Sequence, residues 1–108
     1  MSITGIVIRD LSTKSFTRAL RWHGPEQGLN GWSALEWAGA MAGEAGEACN
    51  TAKKGRRIEQ GMNNIPSEKR PQQSYTQLNR DVAEEAADTI LYAILLIQRV
   101  GHNPEEII

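Results

Sequence analysis

Two acidic pairs carry the chemistry of this chain: Glu44 with Glu47, and Glu85 with Asp88. Within each pair the residues are three apart. On a helix that spacing puts both carboxylates on one face, with Cβ atoms roughly 5–6 Å apart. Like charges so placed repel unless a cation lies between them. Met41, Ala45 and Ala48 stand beside the first pair, and Val82, Ala86 and Tyr92 beside the second. Carboxylates set against an apolar stripe are costly unless paired or metal-bound. Two such helices packed antiparallel bring all four acids together. Oxygen donors suit a hard cation, and magnesium is usually held by a few carboxylates plus substrate phosphates. Manganese can stand in for it. No His follows these acids at three residues, so the Glu-x-x-His signature of di-iron bundles is missing. The competing reading is a solvated, solubilising helix face. The apolar neighbours weigh toward metal.

Other residues near these acids have two readings each. Lys53, Lys54, Arg56 and Arg57 either complement a helix C-terminus or clamp phosphates, with Lys53 nearest the acidic face. Asn50 can reach a metal water or a ribose hydroxyl, or be a surface amide. Trp37 shares a face with Met41 and Glu44, so it either stacks on a base or fills the core. Tyr92 supports the metal site or packs inside. Trp22, His23 and Trp32 flank a Gly-rich loop and can line a base site. Cys49 reads as a small apolar filler.

The elements that must position these groups are helical. Residues 3–8 read as a short strand or extended arm. A helix follows from Asp10 to the Gly24-Pro25 break, with Leu11, Phe16, Ala19, Leu20 and Trp22 on one side. Ser33 and Glu36 make a capping box, and Trp32 and Trp37 a hydrophobic staple around it. This gives Glu36 a cap to make and removes it from the ligand set. The second helix ends at Gly55. Its Gly39, Gly43 and Gly46 each cost about 1 kcal/mol against Ala, and leave room for another helix or a ligand. Residues 56–73 read as a loop. Ser74 and Gln77 resemble a second capping box. The third helix runs to Val100, with Leu78, Val82, Ala86 and Ile90 inward, and closes at Gly101. Asn103, Pro104, Glu105 and Glu106 open a fourth. The run ILYAILLI is apolar almost all round, which means burial all round. Three helices of this size cannot supply that alone. The expectation is an all-α bundle of three main helices plus a short C-terminal helix, completed by oligomerisation.

E-A-G-E at 44–47, then E-E-A-A-D at 84–88 leading into the apolar run, Gly101 and N-P-E-E, resembles the all-α nucleoside triphosphate pyrophosphohydrolases of the MazG type. The likeness covers residues 33–108. It implies magnesium-dependent cleavage of a nucleoside triphosphate between the α and β phosphates, in a homodimer or a dimer-of-dimers tetramer. Glu44, Glu47, Glu85 and Asp88 would be the ligands. Glu47 is the choice for orienting or deprotonating the attacking water. Lys53, Lys54, Asn50, Trp37 and Tyr92 would touch substrate. A phosphoribosyl substrate and a non-catalytic helical adaptor are the alternatives.

The bulk properties agree with one domain over residues 1–108. A net charge of -1 gives no general drive toward nucleic acid. One cysteine excludes an internal disulfide and fits a cytoplasmic location. The apolar run is too short to span a bilayer.

Overall fold

Local signals in the chain set most of the helix ends. The computed structural model describes residues 3–24, 26–61 and 72–108. Among these it has four α-helices and no strand: α1 Ile3–His23, α2 Ala34–Glu59, α3 Gln72–Arg99 and α4 Pro104–Ile107, with a 3-10 turn at Gly28–Gly31. No helix among the described residues is long and apolar enough to cross a membrane.

The expected start of α2 is present in full. Ser33 Oγ accepts from the Glu36 amide at 3.2 Å, and the Ser33 amide donates to Glu36 Oε1 at 3.1 Å. Trp32 closes on Trp37 at 4.7 Å between ring centroids, so the staple holds too. At the other end of the chain, Asn103 Oδ1 accepts from the Glu105 amide at 2.9 Å, with Pro104 as the first helical residue. Gly101 closes α3 at φ +88°. Its amide donates to Gln98 O and that of His102 to Ile97 O, the paired bonds of a Schellman turn.

Other boundaries differ from expectation. Residues 3–8 are helical from Ile3 onward, continuous with α1, not a strand or arm. The α2 helix continues past Gly55 to Glu59. Gly55 is buried against Tyr75, where an added Cβ would sit 3.8 Å from the ring. The left-handed stop falls instead on Gly61, at φ +64°. The α3 helix begins at Gln72, so Ser74 lies inside it and does not cap it. Of the expected loop, residues 56–59 belong to α2, Gln72 and Gln73 to α3, and 62–71 lie outside the described residues.

The α2 and α3 helices run antiparallel. Tyr75 donates to Glu59, Thr51 meets Glu85, and Trp37 meets Tyr92 at 6.2 Å. The α1 helix packs on α3, where Gln98 Nε2 donates to Ser12 O at 3.1 Å. Arg99 Nε donates to Trp32 O at 2.8 Å and ties α3 to the start of α2. A bidentate pair from Arg9 to Glu105, both bonds 3.0 Å, joins α1 to α4. The core cluster takes one residue from each long helix: Ala19, Trp37 and Leu95, flanked by Leu29, Trp32, Tyr92 and Leu96.

The inward faces are not all those expected. Along α1, Ser12 and Ser15 are buried and Phe16 is exposed. Along α3, Ala86 and Ile90 face outward, while Leu78, Val82, Glu85 and Thr89 are half-buried. The ILYAILLI run is buried at Ile94 and Leu95, but Ile90 keeps 54% of its surface exposed. The molecule is elongated, 52 × 32 × 20 Å, with a radius of gyration of 17.6 Å. A compact chain of about 100 residues has about 13 Å.

Candidate functional site

Antiparallel packing gives the four acids a common neighbourhood. Glu44, Glu85 and Asp88 are half-buried and Glu47 is exposed. Burial pushes the Glu44 carboxyl above its ordinary value, and the charges of Glu47, Asp88 and Glu85 push it the same way, in that order. Glu44 therefore feels Glu47 on its own helix, and Asp88 and Glu85 across the α2–α3 interface. Thr51, one turn beyond Glu47, donates to Glu85 Oε1 at 3.3 Å. Glu85 Oε2 is buried and has no hydrogen-bond partner among the described residues. A buried carboxylate oxygen left in that state is costly, and a cation or a donor brought by a ligand would satisfy it. Among the described residues, no three His, Cys, Asp or Glu side chains stand close enough together to hold a metal as they are placed. The link between the four acids is electrostatic: the charges of Glu47, Asp88 and Glu85 all bear on Glu44.

Tyr92 stands beside them on α3. Burial raises its phenol pKa, Glu44 and Asp88 add to the rise, and Arg18 opposes it. That places a cation from α1 within reach of the acidic cluster. The Arg18 guanidinium lies 4.6 Å from the Trp22 ring centroid, a cation–π contact. Trp22 in turn meets Tyr92 at 6.2 Å. Ser15, Arg18 and Trp22 from α1, with Asp88, Leu91, Tyr92 and Leu95 from α3, line a cavity of about 100 Å³.

No protein-family model, curated protein or solved structure matches the chain. The site's own chemistry therefore carries the functional reading.

The remaining sequence-derived candidates fall into two groups. Lys53, Lys54 and Asn50 are exposed on α2 beyond the acidic pair. Arg56 is drawn away into an ion pair with Glu59 at 3.0 Å. Trp37 does not offer a stacking face. It is 0% exposed, and its Nε1 donates to Leu29 O at 2.8 Å. The core reading of Trp37 stands. His23 and Trp32 pack edge-on against each other and against Trp37, so they close the core and do not line a base site. Trp22 alone of that group faces the acidic side. Cys49 is exposed, not a buried filler. Glu84 is solvated, paired with Arg80 at 3.0 Å.

Three residues near the acids were not singled out from the sequence: Thr51, Ser15 and Arg18. Thr51 had a readable signal, since it lies four residues after Glu47 and seven after Glu44. Ser15 and Arg18 had none, because their role depends on how α1 lies on α3.

Proposed function

We propose that the chain is a magnesium-dependent nucleoside triphosphate pyrophosphohydrolase of the MazG type, acting on an ordinary or modified nucleotide to control the nucleotide pool. The observation that carries this reading is the half-buried acidic cluster, with Glu44 raised by three carboxylates and Glu85 Oε2 left without a partner. Those features fit a hard cation: oxygen donors only, mutual repulsion, and an unsatisfied acceptor. Glu44, Glu47, Glu85 and Asp88 would hold the cation, magnesium or manganese, after side-chain rotation brings their oxygens together. When bound, the cation supplies charge neutralisation on the phosphates and activation of water. Glu47, exposed and free to turn, orients and deprotonates the attacking water. The water oxygen bonds to the α phosphorus, the bond to the bridging oxygen breaks, and monophosphate and pyrophosphate leave. Lys53, Lys54 and Asn50 lie on the side where the phosphates would extend.

Assembly is part of the proposal. The elongated shape, and the exposure of Ile90 at 54% and Leu35 at 80%, suit a homodimer or a dimer of dimers. Gly39, Gly43 and Gly46 have open space where a Cβ would stand, so α2 offers a bare face for close approach. The same exposed surface favours the second reading, a non-catalytic helical adaptor. The deciding experiment incubates the purified chain with ribo- and deoxyribonucleoside triphosphates and magnesium, and measures pyrophosphate. Release that disappears in Glu44→Gln is expected. No release from any triphosphate, with no change in melting temperature on adding magnesium, would reject the hydrolase in favour of the adaptor.

A further inference from the structure

A groove of about 370 Å³ lies between α1, the turn at 26–31 and the end of α3. It shares no lining residue with the cavity beside the acids, and its size falls among small-molecule sites, about 300–1,000 Å³. The fold holds its walls in place. Gly28 takes φ +48° and lies so close to α1 that an added Cβ would meet Leu20 at 2.8 Å. The Asn30 amide donates to Gln27 O at 2.7 Å and closes the turn. Opposite, Gln98 Nε2 is fixed on Ser12 O at 3.1 Å and Arg99 Nε on Trp32 O at 2.8 Å.

Three kinds of surface meet in this groove. Phe16, Leu20 and Leu29 supply an apolar wall, and Phe16 keeps 42% of its surface exposed. Arg99 brings a cation from α3 and Glu26 an anion from the turn. Neither makes an ion pair among the described residues. The Nε bond to Trp32 leaves the terminal nitrogens of Arg99 without a partner among those residues. Gln98 Oε1 is buried and also lacks one, which is costly for an acceptor.

We infer that the groove binds a small zwitterion, a free α-amino acid with an apolar side chain. Its carboxylate accepts from the Arg99 fork. Its ammonium group donates to Glu26 and Gln98 Oε1, and has the three N–H bonds to do both. Its side chain lies on Phe16, Leu20 and Leu29, out of water. A simple anion would be repelled by Glu26, and a simple cation by Arg99. A ligand carrying both charges satisfies both walls. The inference is independent of the nucleotide reading.

The test titrates the full chain, in a chelator, with L-phenylalanine, L-leucine, glycine, N-acetylphenylalanine and phenylalaninamide, by calorimetry. NMR amide shifts locate the binding. Phenylalanine and leucine are expected to bind, with shifts centred on Phe16, Gly28, Leu29 and Arg99. Blocking either charged end weakens binding at least about tenfold, and so does removing the side chain, as in glycine. Glu26→Gln, at an exposed turn position, weakens phenylalanine binding at least about tenfold and leaves N-acetylphenylalanine within about twofold. Phe16→Ala, also exposed, weakens phenylalanine and leaves glycine unchanged. No saturable binding of either apolar amino acid, equal binding of a blocked compound, insensitivity to Glu26→Gln, or shifts centred elsewhere would overturn the inference. Absent binding together with a loss of stability in Glu26→Gln would show that Glu26 closes on Arg99 directly, and overturns it as well.

Discussion

The two ends of the α2–α3 pair solve opposite problems. Near the start of α2, Trp37, Trp32 and His23 close on one another with Ala19 and Leu95, and the Trp37 indole donates to a backbone carbonyl. Two turns further along, α2 brings Glu44 and Glu47 toward Glu85 and Asp88 of α3. There the groups repel, and one buried oxygen is unmatched. The first region is closed ring on ring, with His23 Nε2 as its one buried side-chain atom lacking a partner among the described residues. The second is held in place by the first, in an arrangement it would not choose by itself. Stability is concentrated in one region and given up in the other, where the proposed chemistry lies.

That contrast can be broken at its strong end first. Trp37→Ala removes the central ring and is expected to cost about 3–5 kcal/mol, enough to unfold a small domain, as read by urea denaturation. A cost under about 1 kcal/mol would mean that the aromatic cluster does not anchor the helix pair. At the other end, Glu85→Gln should do the reverse. Pyrophosphate release falls at least about 100-fold, while stability without metal holds or rises, because a repelling buried charge is removed. Loss of stability and activity together would place Glu85 among the structural residues.

The division was partly legible beforehand. Ser33, Glu36, Trp32 and Trp37 announce the start of α2 by local chemistry that later packing does not alter. Asn103-Pro104 is equally local. The acidic pairs could be read because spacing on a helix dictates a common face. What could not be read depends on partners far along the chain. Gly55 looks like a stop, but Tyr75 covers it and the helix continues. Residues 3–8 carry Ile, Val, Thr and Gly, poor helix formers, yet they extend α1. Ile90 belongs to an apolar stripe in the sequence, but the antiparallel register turns Glu85 and Thr89 inward in its place. The cavity required two helices to meet, so Ser15 and Arg18 carried no mark.

Smaller effects sharpen the same contrast. Gly43→Ala tests the bare face of α2. Added helix propensity should stabilise an isolated chain by about 1 kcal/mol. If that face packs on a second copy, sedimentation will instead show weaker self-association. Ser33→Ala removes the cap beneath the aromatic cluster and should cost about 1 kcal/mol by thermal melting.

The smallest effect is on pH dependence. Glu44 titrates above its usual 4.5 in the folded chain. Folding therefore takes up a proton in the window just above that value. The metal-free wild type should gain stability relative to Glu44→Gln as pH falls through this window, and level off below it. Urea midpoints measured in a chelator from neutral pH downward check the sign. A wild type that loses ground to the variant on acidification would show that Glu44 is not strained.

The Arg9–Glu105 pair has a kinetic consequence. It joins residues 96 apart in sequence, near the two extremities of the chain. Closing so long a loop is worthwhile only once the helices between are in place. The clasp is therefore a late event, absent from the transition state for folding. Cutting it with Arg9→Ala should leave the refolding rate unchanged and speed unfolding. In that sense the contact works as a latch: it contributes nothing to finding the fold and delays its loss.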